Sequence, residues 1–302
     1  MINFLKYKYI YFILSGLVIV SGLLSLISFG LRPAIDFIGG TVWEVRFNQK
    51  ITNSDISKYF GDKKNTDFGS AVSTPNSLIL KFKPLTDEQQ TALTSELEAK
   101  FGKFETVRFE TVGPLLGREL IVKTVVAVVL AALLIMTYII YQFHDRLFGL
   151  SAIAAMLHDT LVILGVFSLL GHFLGIEVDT LYVTAVLTIL SFSTHDTVVV
   201  YDRIMELLAA FPSKPFSEVV NLALNETAVR SLNNSLTIVF MLLALVLLGG
   251  GSIRIFAIAL LVGTISGAYS SMFTASPILV VWYEFLSRRQ KQIGRASCRE
   301  RV

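Results

Sequence analysis

Six long apolar runs constrain what this chain can fold into more than any other feature of its sequence. The first run covers residues 9–29, and five more follow a polar stretch, at about 121–143, 148–171, 179–201, 234–249 and 255–285. An α-helix needs about 20 predominantly apolar residues to cross the hydrocarbon core of a bilayer. The sequence therefore predicts an α-helical polytopic membrane protein with six transmembrane helices.

The charge and cysteine content exclude several other classes of protein. Only 16% of the 302 residues are charged, whereas an average globular chain carries roughly 25%. The net charge of +3 is scattered, and no basic run alternates with aromatic residues as a nucleic-acid groove requires. The single cysteine, Cys298, leaves no disulfide framework and no cysteine-based metal site.

The polar segment between the first and second apolar runs, residues 30–118, has the pattern of a small α+β domain. Alternating strand-like stretches and capped helical stretches follow one another at about 41–48, 52–61, 66–73, 76–83, 86–101 and 104–112. The order β-α-β-β-α-β is the ferredoxin-like pattern. We therefore expect one ferredoxin-like domain between helices 1 and 2.

The positions of Lys and Arg in the short loops predict the orientation of the chain, because such loops are enriched in these residues on the cytoplasmic side. Lys and Arg lie near both ends and in the loops at 144–146 and 202–230, whereas residues 171–179 carry none. Both termini are expected in the cytoplasm, with 30–118 exported and 202–230 a cytoplasmic helical connector.

The predicted domains are 1–29 with an N-tail and helix 1, the exported 30–118, the five-helix domain 119–287, and a cytoplasmic tail, 288–302. Residues 294–302, GRASCRERV, are typical of a non-native extension.

Four ionisable residues inside or beside the apolar runs are the candidate functional groups. Asp159 is about the twelfth residue of its run, and His195 and Asp196 lie in SFSTHDTVVVYDRIME, residues 191–206. Arg230 opens the fifth run from the same side and at a depth comparable with Asp196. Ionisable groups at membrane depth cost several kcal/mol, so they indicate function by default. The competing interpretations are a structural hydrogen bond for Asp159, and a position among the lipid headgroups for Asp196 and for Arg230.

Two further patterns have plainer explanations. The pair His-Asp occurs twice, at 158–159 and 195–196, but neighbouring residues on a helix point about 100° apart, so a metal site is not expected. The last run carries small residues at every fourth position: Ala259, Gly263, Gly267, Ser271 and Ala275. This spacing predicts close helix packing, within the chain or against a partner. Ser270 and Ser271 have no base nearby in the sequence and are interpreted as packing residues too.

Several segments together resemble one family. AIDFIGGT (34–41), TVGPLLGREL (111–120), STHDTVVVYDRIME (193–206), ETAVRSLNNSLT (226–237) and GTISGAYSSMFTASPIL (263–279) are similar to segments of SecF, a subunit of the bacterial SecD–SecF complex. Ala34 stands where that family has glycine, and His195 stands where it has asparagine. The second difference adds a group that titrates near neutral pH.

The resemblance implies more than the residues alone do. It implies a helical fold of the resistance-nodulation-division superfamily type in the bacterial plasma (inner) membrane, and a heterodimer with a SecD-type subunit. It also implies association with a SecYEG-type channel and use of the proton gradient, without a cofactor, to help exported polypeptides leave the membrane. Asp196 and Arg230 match the family's proton-pathway residues, with Asp159 and His195 as further candidates. Asp36, Gly39 and Gly40 match its juxtamembrane motif.

Two other functions compete with this non-enzymatic translocation role. A proton-coupled small-molecule exporter of the same superfamily usually has much larger exported domains and about twelve spans. An intramembrane aspartyl protease using Asp159 and Asp196 would need the two carboxyl groups about 3 Å apart. The positions of these carboxyl oxygens in a structure discriminate between protease and transporter.

Overall fold

The computed structural model describes residues 2–49, 51–61, 67–73, 77–143 and 145–299, and only the backbone of residues 252 and 289–299. The chain divides into two compact units, one formed by residues 33–126 and the other by residues 1–32 and 127–302. The first unit begins and ends slightly later than the predicted domain 30–118, and both ranges contain every strand of the sheet described below.

Residues 33–126 contain an antiparallel four-stranded sheet with two helices in the predicted order. The elements are α2 (Ile35–Ile38), β1 (Gly40–Phe47), α3 (Asn53–Gly61), β2 (Phe68–Ser73), β3 (Leu78–Phe82), α4 (Asp87–Phe101) and β4 (Phe104–Val112). The strand order is β2-β3-β1-β4, and every neighbouring pair is antiparallel. This is the arrangement of a ferredoxin-like β-α-β-β-α-β unit, so the predicted α+β domain is confirmed.

Alternation along the central strands builds the core of this domain. Trp43 and Val45 of β1 and Leu80 of β3 are fully buried, and they pack with Ile56 of α3 and Leu97 of α4. Successive side chains of a strand point to opposite faces, so one face of the sheet is apolar and is covered by the helices. The sequence pattern alone therefore selects the buried face.

Helix α4 begins where its sequence predicts. Thr86 accepts a hydrogen bond from the backbone N–H of Gln89, and the Gln89 side chain accepts one from the backbone N–H of Thr86. This reciprocal capping box satisfies two donors that the first turn of a helix otherwise leaves without partners.

Six helices of the described chain are long and apolar enough to cross a membrane, as predicted. The first includes α1 (Lys8–Phe29), and the next four are α5 (Pro114–Phe143), α6 (Arg146–Leu174), α7 (Thr180–Ala210) and α8 (Phe216–Leu248). The sixth, Ile253–Arg288, joins α9 (Gly251–Ser270), a π-helical turn (Ser271–Ala275) and the first part of α10 (Ser276–Arg299). The multi-pass membrane fold is therefore confirmed.

Two details differ from the sequence-based expectation. The connector 202–230 is helical, as predicted, but it consists of the ends of two spans: residues 202–210 complete α7, and 216–230 are the first half of α8. The sixth run is not one regular helix, because the π-helical turn interrupts it. Apolar composition sets the length of a span but does not specify the register of its backbone hydrogen bonds.

The first half of α8 also holds the N-terminal segment. The Asn221 and Asn225 side chains bond to the backbone of Ile2 and Phe4, with the Ile2 N–H donating to Asn225 Oδ1 at 2.8 Å. Lys8 forms an ion pair with Glu284 at 3.3 Å. The two asparagines therefore give the polar first half of α8 a partner in the N-terminal segment.

Helices α6 and α7 carry more buried residues than the other described helices of the membrane unit. Gly22 of α1 and Gly165 of α6 allow close approach, since a Cβ on Gly22 would lie 3.2 Å from Gly165 Cα. One turn away, Ser25 donates a hydrogen bond to Ser168 at 2.8 Å. Small residues and interhelical hydroxyl bonds are the usual means of helix association in lipid.

Candidate functional site

Asp196 lies on α7, facing α8. Its carboxylate accepts a hydrogen bond from Ser235 Oγ at 3.4 Å and is half-buried. It lines a cavity of about 20 Å³ together with Ser193, Asn234, Ser235, Gly263 and Gly267, among other residues. A cavity of roughly 10–15 Å³ or more is large enough for a water molecule, which then needs polar partners. Asp196 is thus a carboxylate beside a water-sized, mostly apolar cavity between three helices, whose lining also includes the polar residues Ser193, Asn234 and Ser235.

Arg230 and His195, the other two residues predicted around Asp196, are both exposed. No ion pair in the described part of the chain joins Arg230 to Asp196. Arg230 lies five residues before Ser235, the α8 residue that does contact the carboxylate. The structure therefore places Asp196 on α7 and Arg230 on α8, but it does not join them as an ion pair in this conformation.

Asp159 has a different environment from Asp196. Its side chain on α6 is fully buried, and three hydroxyl donors and the His158 imidazole surround the carboxylate. Oδ1 accepts from Ser266 Oγ at 2.6 Å and lies 3.0 Å from His158 Nδ1. Oδ2 accepts from Ser193 Oγ at 2.5 Å and from Ser270 Oγ at 2.6 Å. We call these five residues the buried polar cluster; they join α6, α7 and α9.

Three members of the buried polar cluster were missed at the sequence level. Ser193, Ser266 and Ser270 are separated from Asp159 by 34, 107 and 111 residues. The spacing of Ser266 and Ser270, one helical turn apart on α9, was an available signal for a polar face. Ser270 was interpreted as a packing residue, whereas its hydroxyl binds a buried carboxylate.

Gly263 and Gly267 lie where α9 crosses α7 within the same chain. A Cβ on Gly263 would overlap the side chain of Ile189, and one on Gly267 would lie 3.3 Å from Ser193 Cα and 3.8 Å from Asp159 Oδ2. Ser271 is fully buried at the start of the π-helical turn. Turns of this kind occur often at functional sites, and this one directly follows Ser270.

The juxtamembrane motif forms a tight turn against the start of α5. Gly39 and Gly40 have positive φ angles of 77° and 143°. A Cβ on Gly39 would lie 2.8 Å from Pro114 Cα, and one on Gly117 would lie 2.6 Å from the carbonyl oxygen of Phe37. Only glycine fits at these contacts, which explains the spacing of glycines in AIDFIGGT and TVGPLLGREL.

Asp36, the acidic residue of this motif, also acts on the neighbouring sheet. The pKa of the Arg108 guanidinium is raised above its ordinary value, mainly by the hydrogen bond that it donates to Glu110 at 2.5 Å. The negative charge of Asp36 adds to this effect. The motif therefore combines a glycine turn with an electrostatic link to β4.

The geometry also bears on two alternatives, aspartyl-protease chemistry and metal binding. No hydrogen bond among the described residues joins the carboxyl groups of Asp159 and Asp196, and the partners of Asp159 are hydroxyl groups and His158. The shared proton that an aspartyl protease requires has no counterpart in this arrangement. Within the described residues, no group of three or more His, Cys, Asp or Glu side chains is placed to hold a metal ion.

Comparison with known families matches most of the chain. Residues 92–285 match the family described as protein export membrane protein SecD/SecF, C-terminal, and residues 24–51 match the SecD/SecF GG motif. Protein translocase subunit SecF from Thermobaculum terrenum is 40% identical over 93% of this chain and 94% of that protein. The SecF of Anaerolinea thermophila is 37% identical with the same coverage of both chains. The chain belongs to the SecF family of protein translocase subunits.

Longer relatives of this family contain a segment similar to this chain. SecDF of Bacillus subtilis is 33% identical over 92% of this chain, which spans 37% of that protein. The crystal structure of SecDF from Thermus thermophilus, a translocon-associated membrane protein, matches with a TM-score of 0.83 and 31% identity. That match covers 94% of this chain and 39% of the SecDF chain. These fusions support a role in protein export and a SecD-type partner.

Proposed function

We propose that this chain is the SecF-type subunit of a SecD–SecF complex that uses the proton gradient to help exported polypeptides leave a SecYEG-type channel. The observation that carries the proposal is Asp196, a half-buried carboxylate beside a water-sized cavity inside the membrane unit. Membership of a translocase family supports the export role. The chain acts as a transport subunit rather than as an enzyme, and the proton gradient takes the place of a cofactor.

In this proposal Asp196 binds and releases the proton while Arg230 controls its affinity. Arginine stays protonated in proteins, so it does not carry the proton itself. An approaching cation favours the ionised form of a carboxylate, and withdrawal of that cation favours the protonated form. Movement of α8 along α7 would therefore couple proton release to a change of conformation, with the exposed His195 tuning the response to pH.

The available energy is sufficient for such a cycle. A membrane potential of roughly 150 mV supplies about 3.5 kcal/mol per proton, at about 2.3 kcal/mol per 100 mV. A tenfold change in proton affinity costs about 1.4 kcal/mol. One proton can therefore drive a change in the affinity of Asp196 of roughly two powers of ten.

We propose further that the complex lies in the bacterial plasma membrane with both termini of this chain in the cytoplasm. The ferredoxin-like domain then lies on the outer side, where an exported polypeptide emerges. The distribution of Lys and Arg in the short loops supports this orientation.

Replacing Asp196 with asparagine tests the proposed role. Asp196→Asn keeps the size of the side chain but cannot ionise, so the complex should assemble while gradient-stimulated release of exported protein is lost. Release from membrane vesicles is measured with and without a proton gradient, and assembly is measured by co-purification of the SecD-type subunit in mild detergent.

Asp202→Asn provides the matched control for this test. Asp202 lies on the same helix, is exposed, and is not part of the cavity. The same chemical change at this position should leave gradient-stimulated release unchanged. Full gradient-dependent release by Asp196→Asn would contradict the proposal and make Asp196 a structural residue.

A further inference from the structure

A second and much larger cavity, of about 530 Å³, lies between the N-terminal segment, the start of α8 and α10. Ligand pockets of proteins usually have volumes of about 300–1,000 Å³, so this cavity is large enough for a small organic group. Among the described residues, five charged side chains line it: Lys6, Lys8, Lys214, Glu218 and Glu284. The proton pathway proposed above uses none of them.

The ends of the membrane spans place this cavity at the level of the lipid headgroups. Lys8 directly precedes the first apolar run, and its ion-pair partner Glu284 lies at the end of the sixth run. Phe216, the first residue of α8, stacks on Tyr283 with 4.0 Å between ring centroids. Tyrosine is enriched at the boundary between hydrocarbon and water. The cavity therefore opens where the headgroups of the surrounding lipids lie.

Three of the five charges are available to a ligand. Lys8 and Glu284 form an ion pair at 3.3 Å and so neutralise each other. Lys6, Lys214 and Glu218 are exposed, and none of them forms an ion pair within the described part of the chain. The cavity thus presents two ammonium groups and one carboxylate at the membrane surface.

We propose that this cavity binds the headgroup of an aminophospholipid, with its phosphate on Lys6 and Lys214 and its ammonium group on Glu218. Lysine is a common partner of phosphate groups. Purely basic pockets between membrane spans bind anionic lipids, but here an anionic headgroup would leave Glu218 beside a like charge. A headgroup that carries both a phosphate and an ammonium group gives each of the three charges an opposite partner.

Apolar surface for the acyl chains begins close to Lys6. Ile10, Ile13 and Leu17 follow Lys6 along the first span and are exposed. Their spacing of three and four residues places them on one face of α1. This stripe and the position at headgroup level favour a lipid over a soluble phosphate compound. The inference goes beyond the proposed proton-driven function and does not depend on it.

The test is lipid binding by the full chain, measured by native mass spectrometry from a detergent micelle. The delipidated protein is titrated with phosphatidylethanolamine and, separately, with phosphatidylglycerol that has the same acyl chains. Phosphatidylethanolamine should bind more tightly, because only its headgroup carries an ammonium group. Equal binding of the two lipids, or tighter binding of phosphatidylglycerol, would overturn the inference.

Two variants separate the two halves of the headgroup. Lys6→Gln combined with Lys214→Gln removes the partners of the phosphate, so both lipids should bind more weakly. The loss should be roughly fivefold per lysine, which corresponds to about 1 kcal/mol for one basic residue at a membrane surface. Glu218→Gln removes the partner of the ammonium group alone, so phosphatidylethanolamine should bind more weakly and phosphatidylglycerol more tightly. An unchanged lipid preference in Glu218→Gln would contradict the inference.

Lys123→Gln is the matched control for the loss of positive charge. Lys123 is exposed, lies on α5 and is not part of the cavity lining. Its substitution should leave the binding of both lipids unchanged. Weaker binding in this variant would mean that the lysines act through the net charge of the chain, which would overturn the assignment to the cavity.

Two soluble compounds distinguish a lipid from a free ligand. Phosphoethanolamine and inorganic phosphate lack acyl chains, so neither should displace bound phosphatidylethanolamine at the concentration at which the lipid saturates the site. Displacement by either compound would identify a soluble phosphate ligand and contradict the proposal. Because the measurement needs no proton gradient, its outcome is independent of the result for Asp196→Asn.

Discussion

Gly39 and Gly102 have nearly the same backbone conformation but very different surroundings. Their φ angles are 77° and 82° and their ψ angles are 158° and 177°. A Cβ on Gly39 would lie 2.8 Å from Pro114 Cα, whereas one on Gly102 would meet nothing within 4 Å. A comparison of alanine substitutions at these two positions therefore separates the cost of the backbone conformation from the cost of steric overlap in the juxtamembrane motif.

We expect Gly39→Ala to destabilise the α+β domain more than Gly102→Ala does. The control should cost ~1–3 kcal/mol for the unfavourable backbone conformation, and Gly39→Ala should cost roughly 1–3 kcal/mol more for the overlap. The fluorescence of the fully buried Trp43 during denaturation of the full chain, with Trp282 replaced by Phe, measures both. Equal destabilisation would show that the turn can move away from α5.

The roles of some individual residues could be predicted from the sequence, and the roles of others could not. Glycines at fixed spacing indicated a turn, since few other residues tolerate positive φ. Ionisable residues inside apolar runs drew attention to Asp159 and Asp196 because of their cost in lipid. The serines around Asp159 carry no such cost on a helix, where a hydroxyl can bond to the preceding turn. Only the one-turn spacing of Ser266 and Ser270 was a local signal, and Ser193 had none.

At the level of elements, the crossing of α7 and α9 is the most closely packed contact that the small-residue pattern predicted. Gly263 of α9 lies directly against Ile189 of α7, which is 1% exposed. A methyl group added at Gly263 has no room unless the isoleucine side chain is shortened. The two residues should therefore behave as a coupled pair.

A double-mutant cycle measures this coupling. Gly263→Ala should destabilise the membrane unit through overpacking, and Ile189→Ala should cost about 2–5 kcal/mol through the cavity that it leaves. The combined variant should lose less than the sum of the two by roughly 0.5–3 kcal/mol. Thermal unfolding of the full chain in detergent gives each value, and simple additivity would mean that α9 moves away from α7 instead.

Elements with a local signal were predicted well, and those without one were not. Alternation along the strands and the Thr86 cap act within a few residues, so the β-α-β-β-α-β order could be read from the sequence. The π-helical turn at Ser271–Ala275 is a change in the register of backbone hydrogen bonds inside an apolar run. Such a change leaves no periodic pattern in the sequence.

At the level of the whole molecule, the buried polar cluster exists only because three helices meet. Its donors come from sequence positions up to 111 residues away from Asp159. The sequence contains every member of the cluster, but their meeting point is a property of the helix arrangement. This explains why Asp159 was identified as a candidate while its chemistry, a saturated carboxylate beside an imidazole, required the structure.

The orientation of the whole chain is open to a direct test with its single cysteine. We expect Ser95→Cys, an exposed position on α4, to react in intact cells with a maleimide that cannot cross the membrane, because the domain is predicted on the outer side. Cys298, the only cysteine of the sequence, is predicted in the cytoplasm and should react only after the membrane is permeabilised.

The cysteine at 298 thus serves as the internal control in the same molecule. Mass spectrometry of the labelled peptides separates the two positions, so the Ser95→Cys variant alone reports on both sides of the membrane. Labelling of Cys298 but not of position 95 in intact cells would reverse the predicted orientation. It would also place the ferredoxin-like domain on the side where a polypeptide enters the channel, and so would contradict the proposed role in its release.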